Sequence, residues 1–158
     1  MSADAELLAA FALRQVAERY AMAVDRGDAV LFAAQFTADG VLEAPRGRFV
    51  GHEELAGVPP MMRGLYDRTH HGVVGMVPVI DGDTATAETY CYARHYYRDA
   101  SGAEQCYEMT VRYDDRFRRE DGRWRLAQRT LVLVGDMAWP TGKGPRRAST
   151  DSSREAAP

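Results

Sequence analysis

After Asp67 the chain runs through four extended segments in a row, and that succession constrains the fold more than any other feature. "THHGVVGMVPVI", "TATAETYCYARHYY", "QCYEMTVRYDDRFRR" and "RWRLAQRTLVLV" are rich in Val, Thr and Tyr and are separated by "DGD", "RDASGAE" and "EDG". Runs of β-branched and aromatic residues bounded by Gly and Asp predict consecutive strands joined by hairpin turns. The preceding half has another period. Between residues 5 and 24, Leu8, Phe11, Ala12, Val16, Tyr20, Ala23 and Val24 recur at three- and four-residue steps, the mark of one face of an amphipathic helix. Gly27 is expected to stop that helix and Asp28 to cap a second, over residues 29–35, with Leu31 and Phe32 buried. "FTADGVLEAPRGRFVG" then gives short extended pieces around turn residues, and "HEELAGVPPMMRGLY" a third helix interrupted at Pro59-Pro60. Helices followed by a long meander predict an α+β domain, a curved antiparallel sheet wrapped around N-terminal helices. The domain is expected over residues 1–138, with a disordered tail over 139–158 where Pro, Gly, Ser and Arg dominate.

Charge and motif content exclude several function classes. The 158 residues fit one domain, and 20 Lys and Arg against 23 Asp and Glu leave a net charge of −3. No cationic field exists to hold nucleic acid or an anionic membrane surface. The opening "MSADAELL" has no basic region before an apolar core, and no run reaches membrane-spanning length, so a cytoplasmic location is expected. Cys91 and Cys106 lack metal or redox spacing and are expected as reduced thiols. A glycine-rich phosphate loop, HExxH and GxSxG are all missing. The expectation is a site that works by acid/base chemistry with no cofactor and no metal.

Five positions stand out for such chemistry. Tyr20 and Asp25 are five residues apart, about 140° around a helix, and share a face only if the helix is ending there, as Gly27 predicts. Asp25 is either a surface acid beside Arg26 or a carboxylate held against the packed residues Ala21, Ala23 and Val24; such a carboxylate is perturbed unless paired. Of His70 and His71, strand alternation sends one toward the helices. His71, Val73, Val77 and Val79 form one face, and His70, Val74, Met76 and Ile80 the other; the all-Val packing favours His71 as the inward residue. In "YCYARHYY", His95 shares a face with Cys91 and Ala93, while Tyr92 shares the opposite face with Tyr90 and Arg94. Both His95 and Tyr92 are candidates, since whichever face is inside carries polar groups. Arg129 is either an outer charge or a pocket donor.

The segments "RYAMAVDRGD", "FTADGVLEA", "GRFVGHEEL", "VIDGDTATAETY" and "RREDGRWRLAQR", with the histidine opening the intervening strand, resemble the SnoaL-like branch of the nuclear transport factor 2-like superfamily over about residues 6–135. The resemblance implies an α+β cone around a deep apolar pocket. Members include polyketide cyclases, scytalone dehydratase, bile acid dehydratase and hexachlorocyclohexane dehydrochlorinase. It implies that Asp25 pairs with His71, or else His70, which removes a proton from carbon; that Tyr20 hydrogen-bonds a leaving oxygen or enolate; and that His95 protonates the leaving group. The expected partner is a hydrophobic small molecule such as a polyketide, steroid or terpenoid ring, turned over by dehydration, isomerisation or cyclisation, with Tyr92 and Arg129 as binding residues. The alternative is a non-catalytic ligand-binding or assembly subunit like the β subunit of ring-hydroxylating dioxygenases, in which Asp25 would face solvent. Either way the tyrosine-rich outer face predicts a homodimer or homotrimer.

Overall fold

A computed structural model describes residues 2–142 of the chain; the expected tail from 143 to 158 lies outside the described residues. Helix α1 covers Ala3–Arg26, with Ser2 accepting from the Ala5 N–H at its start. It ends at Gly27, whose left-handed backbone (φ 70°) returns its N–H to the Ala23 and Val24 carbonyls. A side chain there would need that uncommon conformation and would collide with Arg63. The stop falls where expected, but Asp25 remains inside the helix and is not released from it. The burial pattern also departs at the other end. Leu8 and Phe11, expected in the core, are exposed, and burial begins at Leu13.

Asp28 caps α2 (Ala29–Ala33) by accepting from the Leu31 N–H at 2.9 Å. The next segment forms a hairpin of β1 (Phe36–Ala44) and β2 (Gly47–Val50), followed by α3 (Gly51–Ala56) and α4 (Val58–Leu65). The helix break falls at Gly57, and both prolines lie in the first turn of α4, where a missing N–H costs nothing. The meander follows as β3 (Arg68–Asp81), β4 (Thr84–Arg98), β5 (Glu104–Glu120) and β6 (Arg123–Pro140). Asp121 and Gly122, both at positive φ, make the two-residue turn between β5 and β6, the conformation that "DG" favours. Trp139 and Pro140 pair with Cys106 and Gln105, so the sheet extends past residue 138.

The six strands lie in the order β2-β1-β6-β5-β4-β3 in one open sheet. The fold is α+β as expected, with one correction. The sheet is mixed, because β1 runs parallel to β6. Hairpin turns force antiparallel neighbours, but β1 and β6 are joined by no turn. The apolar side chains of α1, α2, α3 and the sheet's inner face form one core, with Phe32, Phe36, Leu55, Val111, Phe117 and Leu126 among its members.

Bulges decide which side chains reach that core. Val73 pairs with Cys91 and Gly75 with Tyr90, leaving Val74 as an extra residue in β3. One extra residue flips strand parity. His71 and Val73 therefore share the inner face with Met76 and Ile80, while Val77 and Val79 are 79% and 70% exposed. The all-Val face was the wrong reason for an inward His71. In β6, Arg116 pairs with Gln128 and Phe117 with Leu126, so Ala127 is extra and the inner face passes from Trp124 and Leu126 to Arg129 and Leu131. In β4 the alternation is unbroken. His95, Cys91 and Ala93 are buried, and Tyr92 is 46% exposed on the outer face with Tyr90.

Arg129 is 0% exposed and holds Asp115 through two bonds of 2.7 Å, while the Thr89 hydroxyl donates to the same carboxylate at 2.7 Å. Its guanidinium stacks between Tyr20 and Tyr113, 4.3 and 4.2 Å from their ring centroids. It is thus neither an outer charge nor a wall residue of a pocket; it is a buried cation that ties β4, β5, β6 and α1. Removing one member of a buried pair leaves an uncompensated charge, at a cost of about 3–5 kcal/mol out of the 5–15 typical of a whole domain. Asp115→Ala should therefore lose about 3–5 kcal/mol in urea unfolding, and the double variant Asp115→Leu/Arg129→Met should recover most of it.

Candidate active site

A cavity of about 310 Å³ opens between α1, α4, the β1–β2 hairpin and the inner face of the sheet. Leu42, Met62, Met109 and Leu131 supply much of its apolar wall. The polar groups at its wall are Tyr20 from α1, His71 from β3, His95 from β4, Tyr107 and Tyr113 from β5, Tyr66 after α4, and Arg46 from the hairpin turn.

Asp25 stands behind this wall, on the far side of His71. Its Oδ1 lies 2.7 Å from His71 Nδ1 and accepts the Thr69 hydroxyl at 2.8 Å, and its Oδ2 accepts the His71 backbone N–H at 2.9 Å. The side chain is 21% exposed. Burial acts to raise the Asp25 pKa, but the hydrogen bonds from His71 and Thr69 and the His71 charge outweigh it and hold the carboxyl below its usual value. An ionised Asp25 fixes the proton of His71 on Nδ1, which leaves Nε2 as the basic nitrogen of a ring that lines the cavity. Tyr20 and Asp25 do not converge on one face, as their spacing on an unbroken helix requires. Tyr20 faces the cavity, and Asp25 reaches β3.

His95 stands beside His71, ring centroids 5.6 Å apart and nearly perpendicular. It is 3% exposed, and its Nδ1 lies 3.2 Å from the Tyr107 carbonyl, so that nitrogen carries the proton. Burial first, then the neighbouring His71, pushes its pKa down to about 4. At neutral pH His95 is therefore an uncharged acceptor, and the expected role of resting proton donor does not suit it. Tyr20 keeps its proton, because burial pushes its pKa up to about 12. It is a hydrogen-bond donor at the cavity wall.

The other expected residues lie elsewhere. His70 is exposed and points away from the cavity because it alternates with His71. Tyr92 is on the outer face for the same reason. Arg129 lies behind Tyr20 and Tyr113. Sequence reading missed Thr69, Tyr66, Tyr107 and Arg46. Thr69 was within reach, two residues before His71 and so on its face; Tyr66 and Arg46 lie on connections whose path periodicity does not describe. Cys91 and Cys106 are buried and free, and burial pushes the Cys91 thiol up to about 12. Among the described residues, no three His, Cys, Asp or Glu side chains gather as a metal site, and no helix is long and apolar enough to cross a membrane.

A model of the SnoaL-like domain matches residues 5–130. The chain belongs to the SnoaL-like family. Solved structures share its fold. A Novosphingobium aromaticivorans protein provisionally named as a scytalone dehydratase superposes with a TM-score of 0.75 at 18% identity, over 98% of this chain and 100% of that one. A Mycobacterium tuberculosis protein of unknown function gives 0.74 at 23% identity, over 84% and 76%. A hexachlorocyclohexane dehydrochlorinase from Novosphingobium barchaimii gives 0.73 at 15% identity, over 88% and 94%. At these identities the likeness is one of fold. A comparison with curated proteins found no match.

The two perturbed groups of this SnoaL-like site set its acid sensitivity. Unfolded, His95 titrates near 6.5, and folded near 4. Between those values the unfolded chain binds a proton that the folded chain does not, so stability is full above pH 6.5 and falls as pH drops toward 4. The Asp25 contribution, from a depressed pKa, is lost only below its ordinary 3.8. Urea midpoints taken through the upper window should show wild type losing up to about 1.4 kcal/mol per pH unit. His95→Gln should flatten that slope.

Proposed function

We propose that the protein is a cofactor-independent lyase or isomerase acting on a hydrophobic small molecule, such as a polyketide, steroid or terpenoid ring. The observation that carries this reading is the 2.7 Å contact between Asp25 Oδ1 and His71 Nδ1, with the His71 ring at the wall of a largely apolar cavity. His71 Nε2 takes a proton from a carbon acidified by a neighbouring carbonyl, and Asp25 stabilises the imidazolium that forms. Tyr20 donates to the oxygen that gains charge. In an elimination, the electron pair of the broken C–H bond forms a C=C bond and the leaving group departs with its own pair; a leaving hydroxide takes the proton from the His71 imidazolium and departs as water. In an isomerisation, His71 returns the proton at another carbon. His95 Nε2 accepts a hydrogen bond from a substrate hydroxyl that is retained. The names of the solved relatives, a scytalone dehydratase and a dehydrochlorinase, favour elimination. A binding or assembly subunit would leave Asp25 free in solvent, whereas here it is engaged by Thr69 and His71.

The test needs no knowledge of the product. Cyclic ketones and β-hydroxyketones incubated with the protein in D2O are followed by mass spectrometry for deuterium uptake and for loss of water. Wild type should catalyse one or both, and His71→Ala should lower the rate by about 10² to 10⁴ while leaving ligand affinity within a few-fold. Asp25→Asn should fall in the same direction. Unchanged rates in His71→Ala would sink the mechanism.

A further inference from the structure

The cavity carries one permanent charge on its wall, and among the described residues no carboxylate pairs with it. Arg46 sits in the turn between β1 and β2, at the mouth of the cavity, and is exposed. One guanidinium N–H donates to the Tyr66 hydroxyl at 2.8 Å, and its central carbon lies 5.7 Å from the Tyr66 ring centroid. That bond is to a neutral partner and leaves the rest of the donor fork free. Among the described residues no carboxylate comes within ion-pair distance of Arg46, whereas Arg48 in the same hairpin pairs with Glu43 at 3.5 Å. Asp25, the acid nearest the catalytic pair, is spent on His71 and Thr69 and does not line the cavity. The carboxylate next nearest the cavity wall, Asp136, accepts the Tyr107 hydroxyl at 2.8 Å and makes no ion pair with Arg46.

Tyr66 also fixes where that charge sits relative to the histidines. Its ring lies 4.7 Å from the His95 ring, centroid to centroid, and His95 lies 5.6 Å from His71. Arg46, Tyr66, His95 and His71 thus form one continuous line from the mouth to the base. A planar guanidinium fork held at one end of an apolar cavity matches a planar oxyanion, which it can meet with two parallel hydrogen bonds.

We infer that Arg46, tethered by Tyr66, is a substrate-binding residue that selects an apolar ring bearing a carboxylate, with the carboxylate at the mouth and the reacting carbon at His71. This rests on the reading of the cavity as a substrate site, and it narrows the substrate class from any hydrophobic ring to an acidic one. The anionic group remains at the solvent edge, where it keeps part of its hydration, and the ring alone enters the apolar interior. A deeper arginine would have required the whole carboxylate to be desolvated.

The test measures affinity, by isothermal titration, for two probes of one shape: the naphthoate anion and neutral naphthamide. Wild type should bind naphthoate about five- to tenfold more tightly, as one charge-assisted contact at a half-wet site supplies. The preference should shrink at high salt. Arg46→Gln should abolish the preference and leave naphthamide affinity unchanged, and His71→Ala should keep it. Equal affinities in wild type, failure of naphthoate to bind, a preference that survives in Arg46→Gln, or one that vanishes only in His71→Ala would each overturn the assignment. The proton-abstraction mechanism stands or falls on deuterium uptake, so the two failures are distinguishable.

Discussion

Arg129 is a full positive charge with no access to water, and much of the molecule is arranged around pairing it, through Nε and Nη2, while Nη1 is left without a hydrogen-bond partner among the described residues. Asp115 supplies the counter-charge and Thr89 completes the carboxylate's shell, which locks β4, β5 and β6 in register at their centre. Tyr20 and Tyr113 close over the two faces of the guanidinium and draw α1 against the sheet. Charge buried this deeply is tolerated only when geometry and hydrogen bonding are both good, so these elements cannot slide past one another without a large penalty. The other surfaces of the same two tyrosines form part of the cavity wall. The floor of the candidate site is therefore as rigid as the ion pair beneath it. Tyr20 remains protonated because burial raises its pKa more than the neighbouring cation lowers it.

Above that floor, the site is built by strands whose parity is adjusted by single extra residues. The bulge at Val74 lets β3 present His71 inward near its start and Met76 and Ile80 inward further along. The bulge at Ala127 lets β6 bury Trp124 and Leu126 at one end and Arg129 at the other. Without these shifts a strictly alternating strand would turn either the functional residue or the core residues to solvent. A bulge also bends its strand, and a bent sheet is what leaves room for a cavity between sheet and helices.

The histidine pair shows how one cavity gives two like side chains different work. Both rings come from neighbouring strands, β3 and β4, yet one has a carboxylate behind it and the other a backbone carbonyl. Asp25 holds His71 through Nδ1, whereas burial and then the neighbouring ring disfavour charge on His95. One is thereby suited to taking a proton, the other to accepting a hydrogen bond. Arg46 reaches the same line of rings from a turn far away in sequence.

Several features of this protein were legible in local sequence. The amphipathic run, Gly27 and Asp28 defined α1, its stop and the start of α2, because period and capping are properties of a few adjacent residues. The Val-, Thr- and Tyr-rich runs with their "DG" turns defined four strands and their antiparallel neighbours for the same reason. Motif likeness pointed to Asp25 and to a histidine in "THHG". The parallel pairing of β1 with β6, the outward turn of Tyr92, the burial of Arg129 and the place of Arg46 were not legible. Each depends on a bulge or on contacts between elements: one unpaired residue reverses a whole face, or a partner arrives from elsewhere in the chain, as Leu126 does at Phe36 and Tyr66 at Arg46. Local chemistry determined which elements exist. Only the assembled sheet, through its register and the charge buried at its centre, decided which side chains meet.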